Sequence, residues 1–417
     1  MYLILKITGL ITEYNPFHYG HLYHYKKSKK ITNSNAVICI MNGNFTQRGL
    51  PAITDKWSRA KMALESGIDI IVELPLIYGI RSANYFAEGA VKLLAASNLV
   101  DDFVFGSESG KIAPLIKIAK FLNENNYKFN SKIKKFIKTG YSYPSAREKA
   151  LKEFFEEKRI ISEIKSPNNI LGIEYIRAVL ANNFDLKPLT IKRTSDNYHS
   201  TQIKGEFASG SALRKLIKEN DIKNLKNLVP ESSFKILKSE LNENKIPVNK
   251  NNLTYPLLTK LRMSSPAKLK KYAEINNGLE NRFFKAALES GNYKNLIKKI
   301  NTKSITQNRV QRNLLHILFG LTEKEFNNID QTGPAYLRVL AFNKTGENIL
   351  AQLKKNADLP IITKISKHVN EVNLNSNNPV KKQLSYEILA DDIYSLLYKN
   401  PEFRKGRQDF YQKIIRK

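Results

Sequence analysis

Asn15-Pro16-Phe17-His18-Tyr19-Gly20-His21 is the stretch of this 417-residue sequence whose residue types and spacing best suit chemistry. It contains H-x-G-H, directly after an apolar run from Ile4 to Ile11 and at the start of a helical pattern. With 6 His and 19 Gly in the chain, composition alone yields roughly 0.004 such tetrads by chance. A strand-to-helix turn suits phosphate, because the helix start offers unpaired N–H groups and a partial positive charge. Gly20 removes a side chain where phosphate must approach the backbone. His18 and His21 can donate hydrogen bonds to phosphate oxygens as charge builds during attack at an α-phosphorus. The other uses of a histidine pair are a surface position or a metal site. No Cys or carboxylate stands at a zinc-like spacing nearby, which counts against the metal. His24 either shares the same face or packs as a first-turn residue.

The elements that must hold this turn follow from periodicity. Four short apolar runs read as strands: Ile4 to Ile11, Ala36 to Met41, Ile68 to Leu74 and Phe103 to Gly106. Helical patterns lie between them, about Gly20 to Lys30, Lys56 to Ser66 and Asn84 to Ser97. Such alternation predicts an α/β, Rossmann-like core with a parallel sheet covered on both faces, with ligands bound beyond the carboxyl strand ends. A Lys- and Glu-rich helical insertion follows near 112–164, then loop, helix and strand from Ser166 to Thr194, and a helix near Ser209. At about 150 residues per domain the length suits two or three domains. We expect residues 1–228 to form the core and residues 229–417 a mainly helical, basic region. That region should hold a small strand-helix-strand unit near 336–365 and closing helices at about Leu384 to Tyr398 and Gln408 to Lys417.

Composition limits the partners. A hydrophobic fraction of 42% with 25% charged residues is globular, not disordered. No apolar run approaches the ~20 residues that span a bilayer. The apolar Met1 to Leu5 is followed at once by Lys6, without a signal-peptide cleavage site before Glu13. The single cysteine, Cys39, excludes an internal disulfide framework and implies no disulfide-linked partner. These features predict a soluble cytoplasmic protein with no membrane partner. The 68 basic and 38 acidic residues give a net charge of +30, which suggests a polyanionic partner such as nucleic acid. Against that, Lys, Asn and Ile are all abundant, as AT-biased coding would produce.

The longer run from Gly9 to His24 resembles the bacterial tRNA(Met) cytidine acetate ligase family, and H-x-G-H is the signature of the nucleotidyltransferase superfamily. Four further stretches agree: Met41 to Gly49 (MNGNFTQRG), Phe105 to Glu108 (FGSE), Ser166 to Gly172 (SPNNILG) and Tyr336 to Leu340 (YLRVL). The resemblance implies that ATP and acetate form acetyl-adenylate, with Mg²⁺ as ATP's ion, and that the acetyl group passes to the wobble cytidine of elongator tRNA(Met), with residues 229–417 as the tRNA-binding region. It also implies ATP contacts from Ile11, Thr12, Glu13, Tyr14, Asn15, Pro16, Phe17, His18, Tyr19, Gly20, His21, Leu22, Tyr23 and His24. His18 and His21 are the catalytic pair. Further contacts fall on Gly106, on Asn168 or its neighbour Asn169, and on Arg193.

Each has a physical reading beside a structural one. Gly106 ends a strand, where a nucleotide passes close to backbone, or is a turn glycine. Asn168 and Asn169 can bond adenine or ribose, or cap a helix beginning near Ile170. Arg193 can clamp phosphate with its planar fork, or is an ordinary surface arginine. Ser209-Gly210-Ser211-Ala212-Leu213-Arg214 resembles the second superfamily signature, with Ser209, Ser211 and Arg214 as pyrophosphate contacts; Ser209 is otherwise a routine N-cap. The family reads closer to S-A-T-A-I-R here, and Tyr198-His199-Ser200 departs from its Y-H-D. Arg48 and Arg59 are candidate anion contacts, and Trp57 reads as core packing. The sequence shows no Ser-His-Asp set, Walker loop or GxGxxG. The competing functions are a small-molecule adenylyltransferase or an acetate ligase serving an acyl-carrier protein. A third is an RNA-binding module with a decayed site, against which the intact H-x-G-H, NNILG and Arg193 argue.

Overall fold

Alternation along each strand decides which side chains enter which layer. The computed structural model describes residues 5–124, 126–164, 166–193 and 208–417. Five strands run parallel: β1 (Ile7–Thr12), β2 (Ala36–Asn42), β3 (Ile70–Leu74), β4 (Val100–Ser107) and β5 (Lys187–Lys192). Ile38, Ile40, Ile70, Val72, Phe103 and Phe105 pack into one apolar layer; Val37, Cys39, Met41, Ile71 and Val104 pack into the other. Both layers are covered by helices. These include α1 (Tyr19–Thr32), α2 (Lys56–Glu65), α3 (Ala83–Ala95), α4 (Pro167–Asn182), α5 (Gly210–Glu219), α6 (Glu231–Asn242), α7 (Gln307–Phe319) and α8 (Pro379–Ser395). Helices α3, α4 and α7 supply buried residues to the first layer, and α2, α5 and α6 to the second. Among the described residues no helix is long and apolar enough to cross a membrane.

The strand order β5-β4-β1-β2-β3 places the reversal of direction between β1 and β4. The chain steps outward from β1 to β3 on one side, then returns to β4 and β5 on the other. Helices on opposite sides of this point leave a crevice at the carboxyl ends of β1 and β4. That is where the H-x-G-H turn begins.

The sheet is not wholly parallel. The expected strand-helix-strand unit near 336–365 is an extension of the central sheet. Its first strand, β6 (Leu337–Phe342), pairs antiparallel with β3. Its second, β7 (Ile361–Ile362), is two residues long and gives way to a 3₁₀ turn at Ile365–Lys367. The last expected helix also stops short. It covers Gln408–Tyr411, after which β8 (Ile415–Arg416) pairs with β6. An apolar, β-branched chain end beside an open strand gains ladder hydrogen bonds that a frayed helix end lacks.

The β3–β6 seam is held by buried charge. Glu73 on β3 lies 3.1 Å from Lys56 Nζ and 2.8 Å from Arg338 on β6. Asp409 lies 2.8 Å from each of the same two cations. All four side chains are buried. Burial pushes the Asp409 carboxyl up, but Arg338 and Lys56 outweigh it and hold it well below the usual aspartate range. Removing one member leaves the others uncompensated, so Asp409→Ala should cost about 3–5 kcal/mol in urea unfolding at neutral pH. Because the folded carboxyl titrates lower than the unfolded one, this stabilisation is present above the ordinary aspartate range and lost as pH falls through the folded pKa. The gap between wild type and variant should therefore close in acid. An unchanged urea midpoint at neutral pH would show that the cluster does not hold the seam.

Candidate active site

The turn after β1 is shaped by its own histidines. His18 is the N-cap of α1, with extended backbone (φ −146°, ψ 175°). Its Nδ1 accepts the Gly20 N–H at 3.0 Å, and His21 Nδ1 accepts the His18 N–H at 3.3 Å. The result is a capping box built from two imidazoles. A ring nitrogen that accepts carries no proton, so in each neutral ring the proton sits on Nε2. The two rings lie 3.8 Å apart between centroids, tilted by 31°. Burial, then Arg193 and Arg214, pushes His18 down to about 3. Burial, then His18, His24 and Arg193, pushes His21 well below its ordinary value. Both rings are thus neutral Nε2–H donors at physiological pH. Gly20 serves this arrangement directly: a Cβ there would lie 2.8 Å from His18 Cε1.

Two cavities share Glu13, His18, His21, Arg48 and Arg193 in their walls. The smaller, about 230 Å³, opens at the ends of β1 and β4; Ile11, Thr12, Gly20, Tyr23, His24, Gly106 and Asn168 line it with Phe86, Phe105 and Tyr175. The larger, about 730 Å³, is lined by Tyr14, Asn15, Ser209, Gly210, Ser211 and Arg214, among others. Pro16, Phe17, Tyr19 and Leu22 line neither. Phe17 is instead buried edge-on against Tyr14, 4.8 Å between centroids. His24 Nε2 lies 3.1 Å from Val104 O; a carbonyl only accepts, so this nitrogen donates and ties α1 to β4. Burial lowers the His24 pKa to about 4, despite the Val104 bond.

The two asparagines separate cleanly. Helix α4 begins at Pro167 with Ser166 as N-cap, so neither Asn168 nor Asn169 is the cap. Asn169 is wholly buried: it accepts the Glu108 N–H at 3.0 Å and donates to Glu163. Asn168 faces the smaller cavity, donating to Glu108 at 2.8 Å and accepting from Arg193 Nη1 at 3.5 Å. Gly106 allows that arginine to lie across the end of β4, since a Cβ would stand 3.1 Å from Arg193 Cγ.

Helix α5 approaches from the other side. Ser209 Oγ caps it by accepting the Ala212 N–H at 3.1 Å. Arg214 donates to Asn15 O at 2.7 Å and to Ser211 Oγ at 3.0 Å, so it ties α5 to the histidine turn. His18 Nε2 lies 4.0 Å from where a Gly210 Cβ would sit, so the donor faces the start of α5.

One expected anion contact has a different role. Arg59 is fully buried and gives its guanidinium to the carbonyls of Glu13, Asn42, Gly43 and Thr54, at 2.5–3.2 Å. It pins the loops after β1 and β2 and does not reach the cavities. Arg48 lines both cavities, and Trp57 packs in the second layer. Tyr198-His199-Ser200 lies outside the described residues.

Three lysines on the larger cavity are not expected from the sequence: Lys218, Lys250 and Lys399. Only Lys218 carries a local signal, standing one helical turn beyond Arg214. Among the described residues lining the two cavities, Glu13 is the only acid, against Arg48, Lys192, Arg193, Arg214 and these three lysines. A concave surface of that sign concentrates polyanions. The donors do not build a metal site. Among the described residues no group of three or more His, Cys, Asp or Glu side chains is placed to hold a metal ion, and Glu13 Oε1 already accepts from Gln47 N–H and Asn42. A magnesium ion needs more oxygen than that.

Comparison with known proteins extends this picture over the chain. The family model for the HIGH nucleotidyl transferases matches residues 5–409. The tRNA(Met) cytidine acetate ligase of Halothermothrix orenii is 48% identical, over 99% of this chain and 100% of its own. That of Acetivibrio thermocellus is 42% identical over the same shares. The crystal structure of Thermotoga maritima TmcAL bound with alpha-thio ATP aligns with a TM-score of 0.90 at 34% identity, covering 99% of this chain and 100% of that one. Likeness at this level over nearly the full length makes the chain a member of the tRNA(Met) cytidine acetate ligase family of HIGH nucleotidyltransferases.

Proposed function

We propose that this chain is an ATP-dependent acetate ligase acting on elongator tRNA(Met). It joins acetate to ATP as acetyl-adenylate, then passes the acetyl group to the exocyclic amine of the wobble cytidine, giving N4-acetylcytidine. The observation that carries the reading is the pair of Nε2–H donors on the wall shared by the two cavities. Adenosine occupies the smaller cavity, against Gly106 and Asn168. The triphosphate crosses His18, His21 and Arg193 toward Ser209, Ser211 and Arg214.

An acetate oxygen attacks the α-phosphorus, and the bond to pyrophosphate breaks. Charge growing on the phosphoryl oxygens meets donors already in place, and Arg193 and Arg214 balance the leaving group. The cytidine amine then attacks the acetyl carbon, the bond to AMP breaks, and the amine gives up a proton. The target base must leave its stack to reach the adenylate. Mg²⁺ would be held by the triphosphate's own oxygens and would offset their charge. The basic region 229–417 carries much of the RNA contact, and the protein works in the cytoplasm.

Acetate-dependent ATP–pyrophosphate exchange tests the first half-reaction without RNA. Removing one positioned transition-state donor costs about 10²–10³ in rate, so His18→Ala and His21→Ala should each fall by that factor while remaining folded. Wild-type exchange in both variants would remove the histidines from the chemistry.

The donor role also requires a definite tautomer. In ¹⁵N-histidine NMR of the free protein, His18 and His21 should stay neutral, with the proton on Nε2, from pH 8 to about 6.5, the pH at which an unfolded imidazole titrates. Because the folded rings refuse a proton that the unfolded rings accept, they should cost stability as pH falls below that value. An Nδ1–H signal from either ring would contradict the capping box.

A further inference from the structure

The larger cavity continues past Arg214 to a second wall, formed by residues 244–251 and Lys399. This wall is anchored. The Asn249 N–H donates to Leu397 O at 2.8 Å, and the Asn400 N–H to Asn244 O at 2.9 Å. Lys245 sits behind it, 2.7 Å from Asp55 and 2.9 Å from Glu240. The wall has an apolar stretch from Ile246 to Val248, in which Ile246 and Val248 are buried and Pro247 half-buried, and it carries the exposed Lys250 and Lys399. Across the cavity stand Arg214 and Lys218, one helical turn apart on α5.

These cations crowd one another. The Lys218 ammonium is pushed below its ordinary range by partial burial, then by Lys250 and Arg214. The only acid among the described lining residues, Glu13, lies at the inner end, on the wall shared with the smaller cavity. Like charges gathered in a concave, partly desolvated arm favour an anion there. Ser209, Ser211 and Arg214 belong to the start of α5, whereas Lys250 and Lys399 stand exposed on a separate segment of the cavity wall. An apolar wall beside phosphate-binding lysines also has no use for a pyrophosphate, whereas a nucleotide presents both a charged backbone and a flat base.

We infer that this outer arm is the entry for the RNA strand bearing the acceptor base, with Lys250 and Lys399 holding its backbone phosphates. The inference rests on the proposed use of RNA as acceptor. It separates the cations into an inner set for the triphosphate and an outer set for RNA, which the lysine-rich C-terminal surface alone does not do.

Lys250→Gln, Lys399→Gln and the double variant test it, with thermal melting to confirm that these exposed changes leave the fold intact. Acetate-dependent ATP–pyrophosphate exchange without RNA should be unchanged. Binding of tRNA(Met) should weaken, and its log–log salt slope should flatten by about 0.7 for each phosphate no longer neutralised. Unchanged tRNA affinity and slope would overturn the inference. So would reduced exchange with a raised KM for ATP or pyrophosphate, which would assign the arm to the triphosphate. A wild-type protein lacking acetate-dependent exchange but showing the expected tRNA effects would instead overturn the acetate reading and leave the RNA entry standing.

Discussion

The first N–H groups of a helix have no partner within it, and in this protein imidazoles supply one. His18 accepts from Gly20, and His21 accepts from His18. The rest of the site follows from that choice of cap. Aspartate would satisfy the same N–H groups but has no proton to donate, and a serine hydroxyl would donate only from the same short oxygen that accepts, not from a far edge. An imidazole accepts on one edge and donates on the other. Capping α1 this way turns a structural requirement into two aimed N–H groups. It also demands Gly20, because the His18 ring occupies the space of a Cβ.

Aim is useful only if the turn is held still, and the fold uses buried and half-buried polar groups for that. Arg59 takes the carbonyls that end β1 and β2. Asn15 accepts the Ile53 N–H at 2.8 Å while its own carbonyl accepts Arg214. Thr54, beside Ile53, donates to Glu240, which pairs with Lys245 in the outer wall of the larger cavity. The histidine turn, helix α5 and the 244–251 wall therefore form one hydrogen-bonded assembly. Replacing any of these groups would leave its partners desolvated and unpaired, which costs more than the bond itself contributes.

Much of this is legible in the sequence where the signal is local. Strand alternation, the Gly20 position and the Ser209 cap each depend on residues a few places apart. Pro167 opens α4, since proline suits the first helical position, three residues ahead of the start expected near Ile170. Long-range partners leave no such trace. Nothing local in Leu337–Phe342 distinguishes a small separate unit from a strand completing the sheet beside β3. Arg59 looks available in the sequence because its carbonyl partners are backbone atoms, which carry no residue identity. Asn168 and Asn169 are equivalent on paper and become distinct only when the helix turns one outward and one inward. Lys250 and Lys399 line one cavity although far apart in the sequence.

The histidines' neutrality completes the logic of the site. Two imidazolium rings this close, between Arg193 and Arg214, would repel by about 4 kcal/mol per pair at 4 Å in a partly shielded site. The protein avoids that by keeping both rings unprotonated. Four cations at the centre would also bind the triphosphate strongly before reaction, and binding shared equally by ground and transition states does not speed chemistry. Neutral donors behave differently. Their hydrogen bonds strengthen as charge grows on the oxygens they face, and their geometry is paid for by the fold rather than at the moment of reaction. In the proposed reaction the full charges stand at the ends of the phosphate path, where they attract the anion and receive what leaves. The neutral donors stand between them, where bonds change.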